Sequence, residues 1–522
     1  MAGTRTPESS VVDPSAAFPA HGASPPPPTG PNISKQLREL RSMAKRLTSS
    51  WIVRAGFATL VLLVALFGFP SDGFDSTTSQ GTLAEQVLTP LPVPHGPPRS
   101  GLQAQTDEQT EAAALADDQQ AEVVELEPNP FFVSPTLGDD SNSGTSIDQP
   151  WASLKTSLRK LQPGHTLYLM DGTYNERDGN NLHYVSRQKG EPDAWIHITA
   201  APGHQPVLLA TEGSAIEVHG NYTEVSKLTV RGEGFDESKS FGYGINVRRS
   251  HHVRIADNTV SNMPLAGISA IESSNVEILN NEVFENARWS DSQGSGISVW
   301  HSLDWDQPAA ADGYHDRVIG NRIYRNENRV KSKWKNYTTI TDGNGIIIDQ
   351  NRDFNYSGRT LVANNVIFDN GGRAIMVFES NRVDVMFNTT YHNGWTDGLQ
   401  GGPVELAIAD ANDVRLVNNL AWAAAGAPAL TVTRANDFVS TGNVLVTTGE
   451  SSFAGDDDLQ LAVDPGVVNP TTDETSADFR PEPTGVLAGK AVDWTPMLPY
   501  DFEGNVREAE SADVGAYEIG LG

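Results

Sequence analysis

The sequence predicts an all-β domain, a parallel β-helix of three sheets with about 23 residues per coil. Three observations carry this. A strand of the form V-x-I-x-x-N-x-V recurs at Val253–Asn258, Val276–Asn281, Thr360–Asn365, Val383–Asn388 and Val414–Asn419, with degenerate copies ending at Asn321 and Asn443. The spacings of the marker asparagines are 23, 40, 44, 23, 31 and 24 residues, a base period near 23 with insertions. A G-I-x-V strand begins 14 residues before the marker at Gly244, Gly267, Ala374, Glu405 and Ala429. Units this short cannot bury an apolar face alone and must stack on their neighbours. A propeller blade needs four strands and roughly 40 residues, and a leucine-rich repeat needs its own signature, so neither fits. The marker asparagines, one per coil, are expected to stack as a structural ladder.

Before the repeat the chain changes character. Residues 1–33 are rich in Pro, Ser and Ala, and 34–48 carry five Lys/Arg against one Glu. Together 1–50 form the expected cytoplasmic segment. Trp51 to Phe69 is apolar apart from Arg54 and Thr59, and Pro70 ends it. Nineteen residues at 1.5 Å each reach roughly 28 Å, one hydrocarbon core, so 51–70 is expected to be a transmembrane signal anchor. Gly68-Phe69-Pro70-Ser71 is not a small-x-small cleavage pattern. The preceding basic residues put the N-terminus in the cytoplasm and the bulk outside. Residues 71–128 read as a disordered stalk and 129–522 as the β-helix domain. Within it, Trp151–Leu161 is expected to be an amphipathic helix, started at Pro150, that caps the open core. The tail from Asp464 to Glu518 is expected to close the other end.

Composition narrows the function classes. There is no cysteine, which excludes disulfides, thiol chemistry and Cys-ligated metals. The net charge of −29 argues against nucleic acid as a partner. A monomer touching the membrane through one helix is the expected state.

The opening Gly138–Thr145, Gln149-Pro-Trp151 and Gly164–Tyr174, with the ending Asp501–Asn505 and Asp513–Glu518, resembles bacterial right-handed parallel β-helix proteins of the pectate-lyase-like superfamily. The resemblance covers about residues 130–520 and implies the fold and a right hand. It says less about activity, because that superfamily includes lyases, hydrolases, epimerases and binding proteins.

Solenoids place function in loops inserted between coils, and here the insertions cluster between residues 281 and 405. In each G-I-x-V-x strand the first and third residues after the Gly face the core, and the second and fourth face out. The fourth position runs Arg248, Ile271, Trp300, Asp349, Phe378, Ala409, Thr433; the fifth runs Arg249, Glu272, His301, Gln350, Glu379, Asp410, Arg434. The residue before the Gly runs Ser295, Asn344, Arg373. The stretch Thr341–Gln350 therefore combines an ordinary coil with added Asp342, Asn344 and Asp349, so that Asp342, His301, Arg373 and Glu379 could share one patch.

An exposed aromatic beside carboxylates and a His suits a sugar cleft, a flat face for the ring and titratable groups for proton transfer. The leading expectation is a polysaccharide lyase acting on a uronate-containing glycan by β-elimination. In it Asp342 and Asp349 are ligands of a possible Ca²⁺ or neutralisers, Arg373 or Lys335 is the base, and His301 or Tyr337 assists. Trp300, Trp305, Trp334, Tyr337 and Asn344 are the expected substrate contacts. The basic run Arg317, Arg322, Arg325, Arg329, Lys331, Lys333, Lys335 could hold uronate carboxylates or sulfates. Two alternatives stand beside the lyase: a glycoside hydrolase with a carboxylate pair such as Asp349 and Glu379, and a non-catalytic glycan-binding or adhesin-like surface protein.

Overall fold

The computed structural model describes residues 126–175, 182–305, 313–333, 339–354, 356–451, 453–495 and 498–519, without the side chains of residues 182, 183 and 353. The expected cytoplasmic segment, the anchor at 51–70 and nearly all of the stalk lie outside the described residues. Among the described residues no helix is long and apolar enough to cross a membrane.

Among the described residues, strands join three parallel sheets of 11, 9 and 11 members, with successive coils stacked strand on strand. The first sheet runs from Pro130–Val133 to Asn436–Thr441, the middle sheet from Leu182–Ser186 to Leu430–Thr433, and the third from Gly172–Tyr174 to Leu459–Leu461. The register of the middle sheet is the one read from the repeat. Ile245, Ile268, Ile297, Ile346, Ile375, Leu406 and Leu430 are partners on successive strands and are buried. Two residues on, Val247, Ala270, Val299, Ile348 and Val377 form a second buried column. Mostly β-branched side chains at a coil spacing of about 4.8 Å stack into one buried core.

Where each middle strand turns into the first sheet, one residue takes positive φ: Arg249, Glu272, His301, Gln350, Glu379, Asp410 and Arg434, between 45° and 55°. This left-handed corner swings the fifth side chain out of strand alternation into its own row. That row pairs along itself, as Arg249 with Glu272 and Arg434 with Asp410.

The asparagine ladder runs Asn258, Asn281, Asn321, Asn365, Asn388, Asn419, Asn443. In each, the backbone N–H and the side-chain NH₂ donate to the amide oxygen one coil on, at 2.8–3.0 Å, and Asp458 accepts from the last. A second ladder, five residues later, joins Asn286, Asn326, Asn370 and Asn393 in the same way and ends on the buried carboxylate of Glu405. These amides satisfy turns that would otherwise bury unpaired backbone groups.

Both chain ends differ from expectation. The helix covers only Leu154–Leu158, not Trp151–Leu161, and Ser153 rather than Pro150 sets its start by accepting from the Thr156 N–H at 3.2 Å. Trp151 instead pairs with Val133 as extended chain, while Trp151, Leu154, Leu158 and Leu161 all join the core. The tail lies along the flank of the solenoid. Phe479, Leu487, Val514 and Tyr517 cover outward residues of the third sheet such as Phe368 and Tyr391, and Val492, Trp494 and Leu498 pack on Met386 and Phe387 of the first. Arg507, buried, ties the tail to Asn364 and pairs with Glu518. Two outer faces are therefore covered over these coils, and the outer face of the middle sheet is left for the inserted loops.

Candidate active site

A cleft of about 630 Å³ lies on that middle-sheet face. Its floor is two outward columns. One is Ser269, Ser298, Ile347, Met376; the other is Ile271, Trp300, Asp349, Phe378. Its walls are Phe241, Tyr243 and Leu265 at one end, the loop segments carrying Gln293, Lys333, Thr341 and Asp342, and Arg373 with Gln400. Coil-to-coil backbone bonds stiffen the loop wall, Glu327 to Asn286, Arg329 to Arg288 and Lys333 to Asp291.

Asp342 and Asp349 are both held above the ordinary carboxylate range here. Loss of water pushes the Asp342 carboxyl up to about 6, with Arg373 and Asn344 opposing. Asp342 keeps partial exposure through the cleft mouth, so the shift comes from the depth of surrounding protein rather than from full occlusion. Asp349 is held well above the ordinary carboxylate range, first by burial and then by the charges of Asp342 and Glu379. Its Oδ1 is buried without a hydrogen-bond partner, which favours the neutral acid. The cleft therefore sets two carboxyls at different proton affinities.

Arg373 is 6% exposed, and burial lowers its proton affinity while Asp342 opposes. Its two Nη groups donate to the carbonyls of Thr341 (3.1 Å) and Gln400. It ties the 341 and 400 segments together, which occupies both of its Nη groups. Asn344 is fully buried, donating to Ser295 Oγ at 3.1 Å and accepting from the Arg373 N–H at 2.9 Å. It is a strut beneath the site rather than a substrate contact.

Trp300 lines the cleft. Its Nε1–H and the Nε2 of His301 both point at the amide oxygen of Gln350, at 3.2 and 2.8 Å, and the Gln350 NH₂ donates to Glu379 at 3.3 Å. An acceptor shared with an indole N–H fixes the amide orientation and makes His301 Nε2 a donor. His301 also stacks on Trp300 and contacts the Phe354 ring, centroids 4.0 and 4.1 Å apart. His301 and Glu379 flank Gln350 in the corner row but, unlike it, do not line the cleft with Asp342 and Arg373. Trp305 is 47% exposed, bonds the Glu272 carbonyl through its indole N–H, and does not line the cleft. Trp334, Lys335 and Tyr337 lie outside the described residues.

The basic run is largely neutralised by carboxylates: Arg317 by Glu277, Arg325 by Glu474 and Asp369, Arg329 by Glu327, Lys333 by Asp291. Among the described residues no three His, Asp or Glu converge to hold a metal ion. A Ca²⁺ takes roughly 6–8 oxygens, and Asp342 with Asp349 in a cleft shared with a guanidinium does not fit such a shell. Sequence reasoning missed Tyr243, Gln293 and Gln400. Tyr243 was within reach, because the residue before the Gly runs Tyr243, Ala266, Ser295, Asn344, Arg373 once extended two coils back. Burial pushes its hydroxyl up to about 12.

Fold and cleft together define a pectate-lyase-like right-handed parallel β-helix protein. Residues 131–400 match the family model described as Pel9A-like, right handed beta helix region, and the chain belongs to that family. Among solved structures it is similar to pectate lyase Pel9A (18% identity over 76% of this chain and 97% of that one, TM-score 0.45). It is also similar to a rhamnogalacturonan lyase (14%, 60% and 87%, 0.39) and to the GH136 lacto-N-biosidase from Eubacterium ramulus (16%, 60% and 56%, 0.36). These likenesses concern the fold. Among curated proteins none matches.

Proposed function

We propose that the domain hydrolyses a glycosidic bond in a largely neutral glycan, with Asp349 as the acid and Asp342 as its carboxylate partner. The observation that carries this is the pair of carboxyls with separated proton affinities in one aromatic cleft, Asp349 on its floor and Asp342 on its wall. Asp349, protonated, gives its proton to the glycosidic oxygen as the C–O bond breaks. Asp342, ionised near neutral pH beside Arg373, either takes a proton from the attacking water or itself bonds to the anomeric carbon. Trp300 and Phe378 offer flat apolar faces, and the exposed Gln400 offers an amide for hydroxyls.

This reading departs from elimination on a uronate. Arg373 is engaged by two carbonyls and Lys333 by Asp291 and Ser292, so the described cleft carries no basic group aimed at a sugar carboxylate. One observation favours the lyase, a guanidinium close enough to Asp342 to act on its charge. A screen of the soluble piece 125–522 on neutral and uronate glycans separates them. Reducing ends without ultraviolet absorbance, lost in Asp342→Asn and Asp349→Asn, support hydrolysis; unsaturated products overturn it. Binding without turnover by every variant supports the adhesin-like alternative.

The apolar segment Trp51–Phe69 behind a basic stretch supports display of the enzyme outside the cell on a membrane anchor and stalk. Protease treatment of intact cells should release the domain, and a protected domain would refute that placement.

A further inference from the structure

A second pocket of about 270 Å³ sits on the other side of the loop wall, around Trp289. The two cavities share their scaffold. Met263, Trp289 and Arg329 line the small pocket, while Leu265, Ser292 and Lys333, two to four residues later on the same segments, line the cleft. The pocket is also built with fixed polar groups. Glu327, 6% exposed, accepts from Arg288 Nε at 3.2 Å and Arg329 Nε at 2.9 Å. Arg329 lies over the Trp289 ring, 5.6 Å from its centroid, and Arg288 also pairs with Glu285 at 3.4 Å. Both guanidinia are held by carboxylates while each has further N–H donors.

The charge decides the ligand class. Arg288 and Arg329 are matched by Glu285 and Glu327, and Glu233 by Arg231 at 3.5 Å, so the pocket has no surplus charge to draw an ionic ligand. A half-buried indole, rigid donors and carboxylate acceptors suit the hydroxyls and apolar face of a neutral sugar ring. Clefts for drug-sized ligands hold roughly 300–1,000 Å³, so this smaller pocket suits a single ring. We propose that the Trp289 pocket is a second sugar-binding site, taking a neutral ring of the same glycan whose scissile bond lies in the cleft. The proposal rests on the glycan reading of the cleft, and it makes the loop wall a ridge over which the chain passes.

The test is calorimetric binding to the Asp349→Asn protein, using the neutral oligosaccharides found by the screen in a ladder of lengths. Affinity should rise with length beyond the cleft, and Trp289→Ala in the same background should lower it by about tenfold for the long members while leaving the shortest binder unchanged. Arg329→Gln, which keeps the indole, should give a smaller loss in the same direction and guards against misfolding of the alanine variant. Length-independent affinity, or equal losses at all lengths, overturns the second site and leaves the cleft reading standing. If no neutral glycan binds Asp349→Asn, both readings fail.

Discussion

Trp300 and Asp349 are register partners on adjacent strands of the middle sheet, both facing the cleft. On the proposed reading, an indole one coil from a carboxyl of raised proton affinity gives a sugar ring a platform beside its proton donor. The Gln350 oxygen fixes the indole, since Trp300 Nε1 donates to it at 3.2 Å. Trp300→Ala should raise KM for the glycan about tenfold with a smaller effect on kcat, and Trp300→Phe should recover most of the affinity. Steady-state kinetics on the two variants settle it, and an unchanged KM in the alanine variant would remove Trp300 from the substrate contacts.

The pH profile of kcat/KM should be bell-shaped. Its acid limb reports ionisation of Asp342 near pH 6, and its alkaline limb reports loss of the Asp349 proton at higher pH. Glu379 is one of the charges holding Asp349 up. Glu379→Gln should therefore move the alkaline limb to lower pH and leave the acid limb in place. A shift of the acid limb instead would reverse the assignment of the pair.

The sequence made most of the scaffold legible because a solenoid repeats its constraints. The recurring G-I-x-V strand, at a constant offset of 14 residues in five coils, aligns the inward isoleucines, and the same alignment carried across the inserted coils places Trp300, Asp349 and Phe378 in one column. The corner row was harder. All its residues take positive φ, yet Gln350 lines the cleft while His301 and Glu379 on the coils to either side do not, and that difference is not written in a pattern of polar and apolar letters. Asn344 misled for a related reason: a polar residue at a break in the repeat reads as functional, yet here it bonds Ser295 and the Arg373 backbone. The helix was overdrawn because Trp151 and Leu161 carry the right period while extended pairing claims the first of them.

Burying the pair should trade stability for function. A carboxyl raised from 3.8 to about 6 makes the folded state bind protons more tightly than the unfolded one, so stability falls as pH rises from near 4 to near 6 and is level beyond. At pH 7 this costs about 2 kcal/mol, allowing for the partial exposure of Asp342. Asp342→Asn should abolish turnover yet unfold at higher urea at pH 7 than the parent, with the advantage vanishing near pH 4. An Asn variant less stable than the parent at pH 7 would show that the carboxylate makes compensating contacts.

The second asparagine ladder needs an acceptor where it stops, and Glu405 supplies it. Asn393 gives both its backbone N–H and its side-chain NH₂ to the two Glu405 oxygens, each at 2.7 Å, in a site with no exposure. Glu405→Ala leaves two buried donors unpaired and should cost about 2–4 kcal/mol. Glu405→Gln keeps an amide oxygen for them, as every other rung does, and removes a charge whose burial raises the Glu405 carboxyl to about 7. Because the raised value makes the native protein lose stability as pH climbs from about 4.5 to 7, the Gln variant should equal the parent at acid pH and exceed it above pH 7. Denaturant melts of the two variants across that range separate the roles. Equal destabilisation by Ala and Gln at pH 8 would mean that the ladder requires the carboxylate charge and not merely an acceptor.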